Sequence, residues 1–449
     1  MSELISLRPM TRDDAPPAEL PGGDPDFLRR LRTAAGAAYR EAPWPSSSRD
    51  EDWRRTPQID KLDLARYSAP GANTTALPQY LARVLEGPLA AIGASHTLVT
   101  DQTGNIPLTG GRQGGVAVTL EEGLREDPEV WSSLLGTIAH PGLRKFVSLN
   151  TARFTGGALV RVKRGQSADS PVRLVHGVDE GSSAFPRTAV LVEDGASLTL
   201  VEEWVSPDDD DSLLAPVVEV QLERGAQLTH VVHQRCGSRT VVQSTVRVKL
   251  AQDAHYDLRW ALLGGAWQKT YFDVEMLGEG SESRASGLCI GRRQQHFDVQ
   301  TLQDHIAGGA ISDLLYRVAV AERSRSIFAG LIRVEEGAQK TNAYVQNRNL
   351  LLSPQAKADS NPTLEILAND VRCTHGSTAG RIDDDQLFYC ESRGVNREQA
   401  RRLVVEGFFA DVVDAFPEGA VREAARGWVL EALDELARSG ALAAGYGSA

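Results

Sequence analysis

Apolar and polar residues alternate through the middle of the chain in the pattern that half-buried β-strands produce. The clearest runs are residues 218–223 (VEVQLE) and 246–250 (VRVKL). Successive side chains of a strand point to opposite faces, so each run has one apolar and one polar face. The alternation begins near residue 146 and fades near residue 390, which predicts a mainly β region between those positions.

A longer period is superimposed on this alternation. A small or turn-forming residue recurs at intervals of 27 to 30 residues, at Gly165, Gly195, Gly225, Asp253, Gly280, Gly309 and Gly337. Three residues before each of these positions lies an apolar residue: Val162, Val192, Leu222, Leu250, Leu277, Ile306 and Val334. Seven units in register indicate a solenoid, in which equivalent residues of stacked coils line one interior.

A unit of about 28 residues has room for two strands and two corners. We therefore predict a right-handed parallel β-helix over residues 146–390, with the seven apolar residues stacked in one buried column. The alternative is a β-sandwich in which the spacing is coincidental. Residues 1–145 and 391–449 are predicted to form helical regions, and residues 1–24, which are polar and rich in Pro and Gly, to form a mobile arm. The helices are predicted at residues 25–39, 120–138, 396–416 and 418–438.

Charge and cysteine content narrow the class of protein. The 449 residues carry a net charge of −12 and have no basic stripe, which argues against nucleic acid or anionic membrane as a partner. Four cysteines are too few to staple a chain of this length, and they indicate reduced thiols. No run of 18 apolar residues is present, and the first residues lack the apolar segment of a signal peptide. We expect a cytoplasmic protein.

Familiar catalytic motifs are missing from the sequence. There is no GxxxxGK[ST] loop for nucleotide phosphates, no GxSxG, no HExxH and no CxxC. We therefore expect that the chain binds no ATP and is not an enzyme. Cys236 and Cys289 lie in strand-like runs and are predicted to be buried structural thiols. His230 and His233 lie three apart in a strand, so they face opposite sides and do not suit joint metal binding.

One segment carries a candidate ligand pair. Cys373 and His375 are separated by one residue, and in a strand such residues share a face. A thiolate and an imidazole on one face suit soft or borderline metals such as iron or zinc. Two ligands leave such a site incomplete, so a partner chain would have to supply the others. The alternative is that Cys373 is only packed.

The segment around this pair resembles the signature of a known family. Residues 364–395 (LEILANDVRCTHGSTAGRIDDDQLFYCESRGV) closely resemble the SufB/SufD family, the scaffold proteins of the SUF iron–sulfur cluster assembly machinery. Residues 330–366, 50–57 (DEDWRRTP) and 145–154 (KFVSLNTARF) are also similar to that family. The family fold is a right-handed parallel β-helix between helical terminal regions, in agreement with the repeat.

The resemblance favours the SufD-like branch. Residues 373–376 (CTHG) match the Cys-x-His-Gly of that branch. The SufB branch instead carries a sulfur-accepting cysteine at the position that Asn347 occupies here. Arg381 and Cys390 are more typical of the SufB branch, but they do not restore the missing sulfur acceptor.

The resemblance implies partners, a cargo and site residues. A SufD-like chain pairs with a SufB-like paralogue and binds a SufC-like ABC ATPase; a homodimer is a further alternative. A transient iron–sulfur cluster would lie at the scaffold junction, with His375 and Cys373 as ligands and Gly376 allowing close approach of the partner. The helix predicted at 396–416 is expected to meet the ATPase through Arg401 and Glu406.

Two other classes of function remain open from the residues alone. A β-helix carbohydrate-active enzyme, such as a polysaccharide lyase, uses charged residues on one face of the helix, but such enzymes are usually exported. A purely structural interaction solenoid would leave the Cys373–His375 pair without a ligand role.

Overall fold

Two β-sheets of mostly parallel strands form the centre of the molecule. The computed structural model describes residues 10–20, 22–67, 77–108, 116–209 and 211–442. Sheet A contains β1 (His96–Asp101), β2 (Gly104–Ile106), β5 (Val172–Gly177), β8 (Ser197–Val205), β11 (Gln227–Arg235), β13 (His255–Leu262), β15 (Glu282–Gly291), β17 (Ile311–Val320), β19 (Asn342–Leu351) and β21 (Arg372–Arg381). Sheet B contains β3 (Ala117–Thr119), β4 (Gly157–Val162), β6 (Ser183–Ala184), β7 (Arg187–Val192), β9 (Leu213–Leu214), β10 (Val217–Leu222), β12 (Val241–Leu250), β14 (Trp267–Met276), β16 (His296–His305), β18 (Arg325–Val334) and β20 (Lys357–Ile366).

Helices occupy both ends of the chain. They are α1 (Asp26–Glu41), α2 (Gln79–Leu85), α3 (Leu120–Glu126), α4 (Pro128–Leu134), α5 (Lys145–Arg153), α6 (Asp384–Glu391), α7 (Arg397–Asp414) and α8 (Ala420–Arg438). Short 3-10 turns lie at Glu51–Trp53, Pro57–Lys61, Leu64–Tyr67 and Pro88–Ile92. None of the helices in the described residues is long and apolar enough to cross a membrane.

Through the solenoid the chain passes alternately from one sheet to the other, and each strand pairs in parallel with its equivalent in the next coil. The result is a parallel β-solenoid of about eight turns with about 29 residues per turn. The predicted fold class, a mainly β parallel solenoid flanked by helical regions, is confirmed. Apolar side chains from both sheets fill the space between them, which we call the lumen.

The predicted buried column is correct in five coils and wrong in two. Strand pairing aligns Val162, Val192, Leu222, Leu250, Met276, His305 and Val334. Leu277 and Ile306, which the sequence placed in this column, are 43% and 37% exposed. The corner after β14 is one residue longer than the corner after β12, and so is the corner after β16. Counting three residues back from the turn glycine therefore gives the residue after the buried one in these two coils.

The corners explain why small residues mark the repeat. Gly165, Gly195 and Gly225 have φ angles of 68°, 64° and 66°, in the left-handed region where glycine has no steric penalty. Asp253 takes the same place with φ 55°. Asp is among the few residues that tolerate this conformation, so the repeat continues without glycine there.

The N-terminal region packs on the outer face of sheet B, and its structure corrects two predictions. Met10, Ala15 and Leu20 are buried in the same cluster as α1, so the described part of the predicted mobile arm is fixed in place; residues 1–9 and 21 lie outside the described residues. The helix predicted at 120–138 is two short helices, because Pro128 has no N–H to continue α3.

Three strands also come from this region, which was predicted to be helical. β1 adds to sheet A in parallel beside β5, while β2 and β3 pair antiparallel with β1 and β4. These strands are short and pair with solenoid residues that are distant in sequence, His96 with Val172 and Ala117 with Val160, so no repeat signal marks them.

The C-terminal helices pack on the outer face of sheet A. Phe409 of α7 and Trp428 of α8 share a buried cluster with strand residues such as Val231 and Leu288. The Asn396 side chain accepts a hydrogen bond from the N–H of Gln399 at 2.9 Å, so Asn396 is the N-cap of the helix that was predicted to begin there. The last strand ends at Arg381, before the predicted limit of 390, and α6 was not predicted.

Candidate functional site

The two ends of the solenoid differ in how their last strands are covered. At the N-terminal end, the antiparallel strands β2 and β3 close sheets A and B. At the C-terminal end, the outermost strands are β20 and β21, each ten residues long, and no described strand pairs with their outer edges. An unpaired strand edge presents backbone donors and acceptors to another chain.

Cys373 and His375 lie together on the inner face of this last coil. β21 pairs with β19 so that Cys373 stands beside Ala343 and His375 beside Val345. Ala343 and Val345 are 1% exposed and belong to the lumen core, so their neighbours on β21 face the lumen as well. Cys373 is half-buried against that core, whereas His375 is exposed because no further coil covers it.

The opposite strand completes a rim around the end of the lumen. Ser360 and Pro362 of β20 stand beside Phe328 and Gly330, and Phe328 is a buried lumen residue. We use the term open mouth for five inward-facing residues of the last coil: Ser360, Pro362, Cys373, His375 and Ser377. A second molecule that docked on this end would cover all five.

The cysteines of the chain fall into different environments. Partial burial raises the pKa of the Cys373 thiol, while a hydrogen bond with the Ala343 backbone acts in the opposite direction. Cys236 and Cys289 are buried, as predicted; burial raises the pKa of Cys236 to about 12 and also raises that of Cys289. A thiolate is the metal-binding form, so the half-exposed Cys373 suits metal better than the two buried thiols.

His230 and His233 face opposite sides of β11, as predicted. His230 lies in the lumen, where its Nε2 is 2.9 Å from Glu202 Oε2. His233 lies on the outer face and stacks on Trp428 of α8, with ring centroids 3.8 Å apart. The two rings therefore share no open position at which both could bind one metal ion. Within the described ranges, no group of three or more His, Cys, Asp or Glu side chains is arranged to hold a metal ion.

Glycine at position 376 is not required by the chain's own packing. A Cβ placed there would meet only the Tyr344 hydroxyl, at an ordinary contact distance of 3.5 Å. The backbone at this position is therefore accessible from the outer face of β21.

Two side-chain amides lie in the lumen behind the open mouth, and their contact with each other was not predicted from the sequence. The Asn347 side chain donates to the Tyr316 carbonyl at 3.3 Å, and Asn349 donates to Asn347 Oδ1 at 2.6 Å. Asn349 Nδ2 also donates to the carbonyl of Thr378 at 3.1 Å, which ties β21 to β19. Position 347 thus carries a buried, hydrogen-bonded amide.

The free edges of β20 and β21 are not equivalent. Hydrogen bonds in a parallel ladder involve alternate residues of a strand. The Arg372 N–H donates to the carbonyl of Thr341, the residue before β19, so the N–H groups of residues 373, 375, 377 and 379 point away from the sheet. On β20 the outward positions include Pro362, which has no N–H. β21 therefore offers the complete row of edge donors.

Arg401, which was predicted to meet a partner, does not lie at the surface. Arg401 is 4% exposed and donates to the Leu352 carbonyl at 2.9 Å, so it anchors α7 to the solenoid instead of facing a partner. The prediction failed because α7 turns this face, and not the one with Leu403, toward the strands. Glu406 is half-buried.

The exposed apolar residues of the C-terminal helices lie elsewhere. Phe388 and Tyr389 of α6 are 70% and 60% exposed, and Leu403 of α7 is 52% exposed. A groove of about 1000 Å³ runs between these helices and the ends of β19 and β21, with Arg348 and Tyr389 among its lining residues. Large apolar side chains exposed together are typical of an interaction surface.

Comparison with known proteins shows to which family this solenoid is similar. Residues 175–408 match the sequence profile of the SUF system FeS cluster assembly, SufBD core domain. The chain is 32% identical to the iron–sulfur cluster assembly protein SufD of Escherichia coli, over 59% of this chain and 64% of the relative. It is 30% identical to the SufD of Bacillus subtilis, over 62% and 64%, and 30% identical to a SufBD family protein of Mycobacterium tuberculosis, over 75% and 84%.

The fold and the matches lead to one classification. The molecule is a parallel β-solenoid with a Cys-x-His pair at an uncovered end. The chain belongs to the SufB/SufD family of iron–sulfur cluster assembly proteins, and it is SufD-like.

Proposed function

We propose that this chain is a non-catalytic, SufD-like scaffold subunit that pairs with a SufB-like subunit and contributes His375 and Cys373 to a transient iron–sulfur cluster. The observation that carries the proposal is the open mouth, where the only Cys-x-His pair of the sequence lies on an uncovered strand. The cluster is the cargo of the assembly, and it leaves when it is complete.

End-to-end docking would complete the site that this chain leaves half-built. A partner strand added along β21 would use the outward N–H groups of residues 373–379, and it would bring further ligands to face His375. The open space beside Gly376 would let the partner backbone approach closely. A site shared between two chains opens when the chains move apart.

The ligand types suit a cluster in transit. Iron–sulfur clusters are usually held by four thiolates, and replacing thiolates by imidazoles changes their electronic properties. Imidazole binds borderline metals such as iron in its neutral form, so it needs no charge compensation when the cluster leaves. One imidazole and one half-buried thiol form a ligand set weaker than a full cage of thiolates.

The ATPase contact is best assigned to the groove between α6, α7 and the strand ends. Tyr389, Val404 and Phe408 supply apolar surface there, while Arg348 and Asp383 supply charge. This surface replaces Arg401, which is buried, and it lies next to the last strand. Movement of a SufC-like ATPase bound there would act directly on the scaffold junction.

Co-expression with the SufB-like and SufC-like partners tests this function. We expect the His375→Ala complex to assemble normally but to lose the iron-dependent absorbance of the nascent cluster, with a smaller or equal loss for Cys373→Ser. His140→Ala, which removes an exposed histidine far from the mouth, is the matched control and should retain the absorbance. Tyr389→Asp, at an exposed residue that lines the groove, should reduce co-purification of the ATPase while leaving the scaffold pair intact.

Two results would contradict the proposal. A His375→Ala complex that accumulates cluster at the normal rate would remove the ligand role. Failure of the wild-type chain to co-purify with a SufB-like protein, combined with a stable homodimer, would show that the open end serves another assembly.

A further inference from the structure

A small buried chamber lies far from the open mouth, where the N-terminal region meets sheet B. It has a volume of about 100 Å³ and is enclosed by the loop that carries Trp53, the first residues of α5, and strands β12 and β14. Trp53, Phe146 and Tyr271 form its apolar walls, and each is nearly buried. The chamber is large enough for a monatomic ion or a few water molecules.

The first donors in this chamber are backbone groups of α5. The helix has no side-chain cap, and Arg144 occupies its N-cap position. The first N–H groups to find a backbone acceptor are those of Val147 and Ser148, both to Arg144. The N–H groups of Lys145 and Phe146, which line the chamber, are left for another acceptor. The positive end of the helix dipole points the same way.

A second donor reaches the chamber from the solenoid. Val242 faces the lumen, so Gln243, the next residue of β12, faces the chamber side of sheet B. Gln243 is 3% exposed, and its Nε2 has no hydrogen-bond partner. A buried amide that donates to nothing is costly, which indicates an acceptor that occupies the chamber.

The charges around the chamber leave one buried cation without a counter-ion. Lys269 pairs with Asp298 at 2.7 Å, and Arg144 pairs with Asp273 at 2.7 Å. Lys145 is 6% exposed and donates to the carbonyls of Tyr39 and Ala42, but no carboxylate of the described residues lies within ion-pairing distance of it. The one carboxylate in the lining, Asp52, is exposed to solvent, and the Tyr271 hydroxyl donates to its Oδ2 at 3.5 Å.

We propose that the chamber binds one small monovalent anion of halide size. The anion would accept hydrogen bonds from the α5 N-terminus and from Gln243, and it would balance the charge of Lys145. Bound between α5 and β12, it would fasten the N-terminal region to the solenoid. A divalent oxyanion such as sulfate would exceed the single unbalanced positive charge and would face Asp52.

Bromide titration of the full chain tests this site. The protein is placed in a buffer whose only other anion is too large for the chamber, and sodium bromide is added at constant ionic strength. We expect the melting temperature to rise by about 2 °C at saturation, and we expect sulfate to give no comparable rise. Gln243→Leu should abolish the bromide effect.

Gln268→Leu is the matched control. Gln268 stands beside Val242 on the next strand, is fully buried and has an equally unpartnered amide, but it does not line the chamber. This variant should keep the bromide response. A response that survives in Gln243→Leu, or an equal response to sulfate, would overturn the proposal.

Crystals of the wild-type chain soaked in bromide give a test that needs no variant. We expect an anomalous peak between the N–H of Phe146 and Gln243 Nε2. A chamber that holds water while bromide binds only at adventitious surface positions would overturn the proposal.

Discussion

The two ends of the solenoid are built from the same repeat but differ in what covers them. At the N-terminal end the lumen contains a chain of fully buried polar side chains, in which the imidazoles of His176 and His230 both contact Glu202. At the C-terminal end the equivalent inner face carries Cys373 and His375, which face the open mouth. Burial of these polar groups serves the fold, because His176, His230 and Glu202 are hydrogen-bonded to one another or to their neighbours. We propose that the exposure of polar groups at the other end serves assembly.

The largest expected effect concerns a buried ion pair in the N-terminal half. Glu219 accepts hydrogen bonds from Arg187 and from the N–H groups of Gly136, Ile138 and Ala139, and both charged groups are fully buried. Glu219→Ala would leave the Arg187 guanidinium buried without a counter-ion. We expect a loss of roughly 3–5 kcal/mol in the free energy of unfolding, measured by urea denaturation.

Glu365 near the open end is the matched position. It pairs with Arg333 at 3.3 Å, but its side chain is 53% exposed. Glu365→Ala should change stability by about 1 kcal/mol or less, since solvent screens such pairs. Equal losses for the two variants would remove the distinction between a closed and an open end.

A second expected effect is the acid sensitivity of the closed end. Hydrogen bonds and charge from His176 and His230 outweigh burial and lower the pKa of Glu202 from 4.5 to about 2. A carboxylate whose pKa is depressed in the folded state adds stability above its unfolded pKa, and that stability is lost as the pH falls from about 4.5 toward 2. Its contribution is on the order of 3 kcal/mol.

Glu202→Gln tests this assignment. The difference in unfolding free energy between wild type and variant should be largest near neutral pH and should shrink as the pH falls below 4.5. A difference that stays constant between pH 7 and 2 would show that the charge of Glu202 does not stabilise the buried polar side chains.

The sequence predicted the solenoid well because its signals are local and repeated. Alternating residues and the turn at Gly225 depend only on neighbours a few residues away, so the strands and the repeat were predictable. Three other features depend on packing between distant segments and were not predictable: the longer corners that expose Leu277, the strand β1 and the burial of Arg401. The pairing of Cys373 and His375 on one face followed from strand periodicity, whereas the unequal edges of β20 and β21 needed the hydrogen-bond register.

The smallest expected change in stability belongs to the open edge itself. The N–H of Ser377 points away from β19, so Ser377→Pro removes a donor that no group of the isolated chain uses. We expect a loss of about 1 kcal/mol or less, because edge strands tolerate proline at outward positions. Pro362 already stands at such a position in β20. If β21 is the edge that a partner strand joins, this variant should nevertheless fail to co-purify with the SufB-like subunit.

Proline one residue further along separates the two roles of the strand. The N–H of Thr378 belongs to the row that bonds β19, so Thr378→Pro should cost roughly 1–3 kcal/mol in the isolated chain, measured by urea denaturation. The two variants, at adjacent positions, thus separate the loss of a hydrogen bond to β19 from the loss of an outward-pointing donor. If Ser377→Pro leaves partner binding unchanged, strand addition along β21 would be excluded, and the subunits would have to meet through the edge of β20 or through side chains at the open mouth.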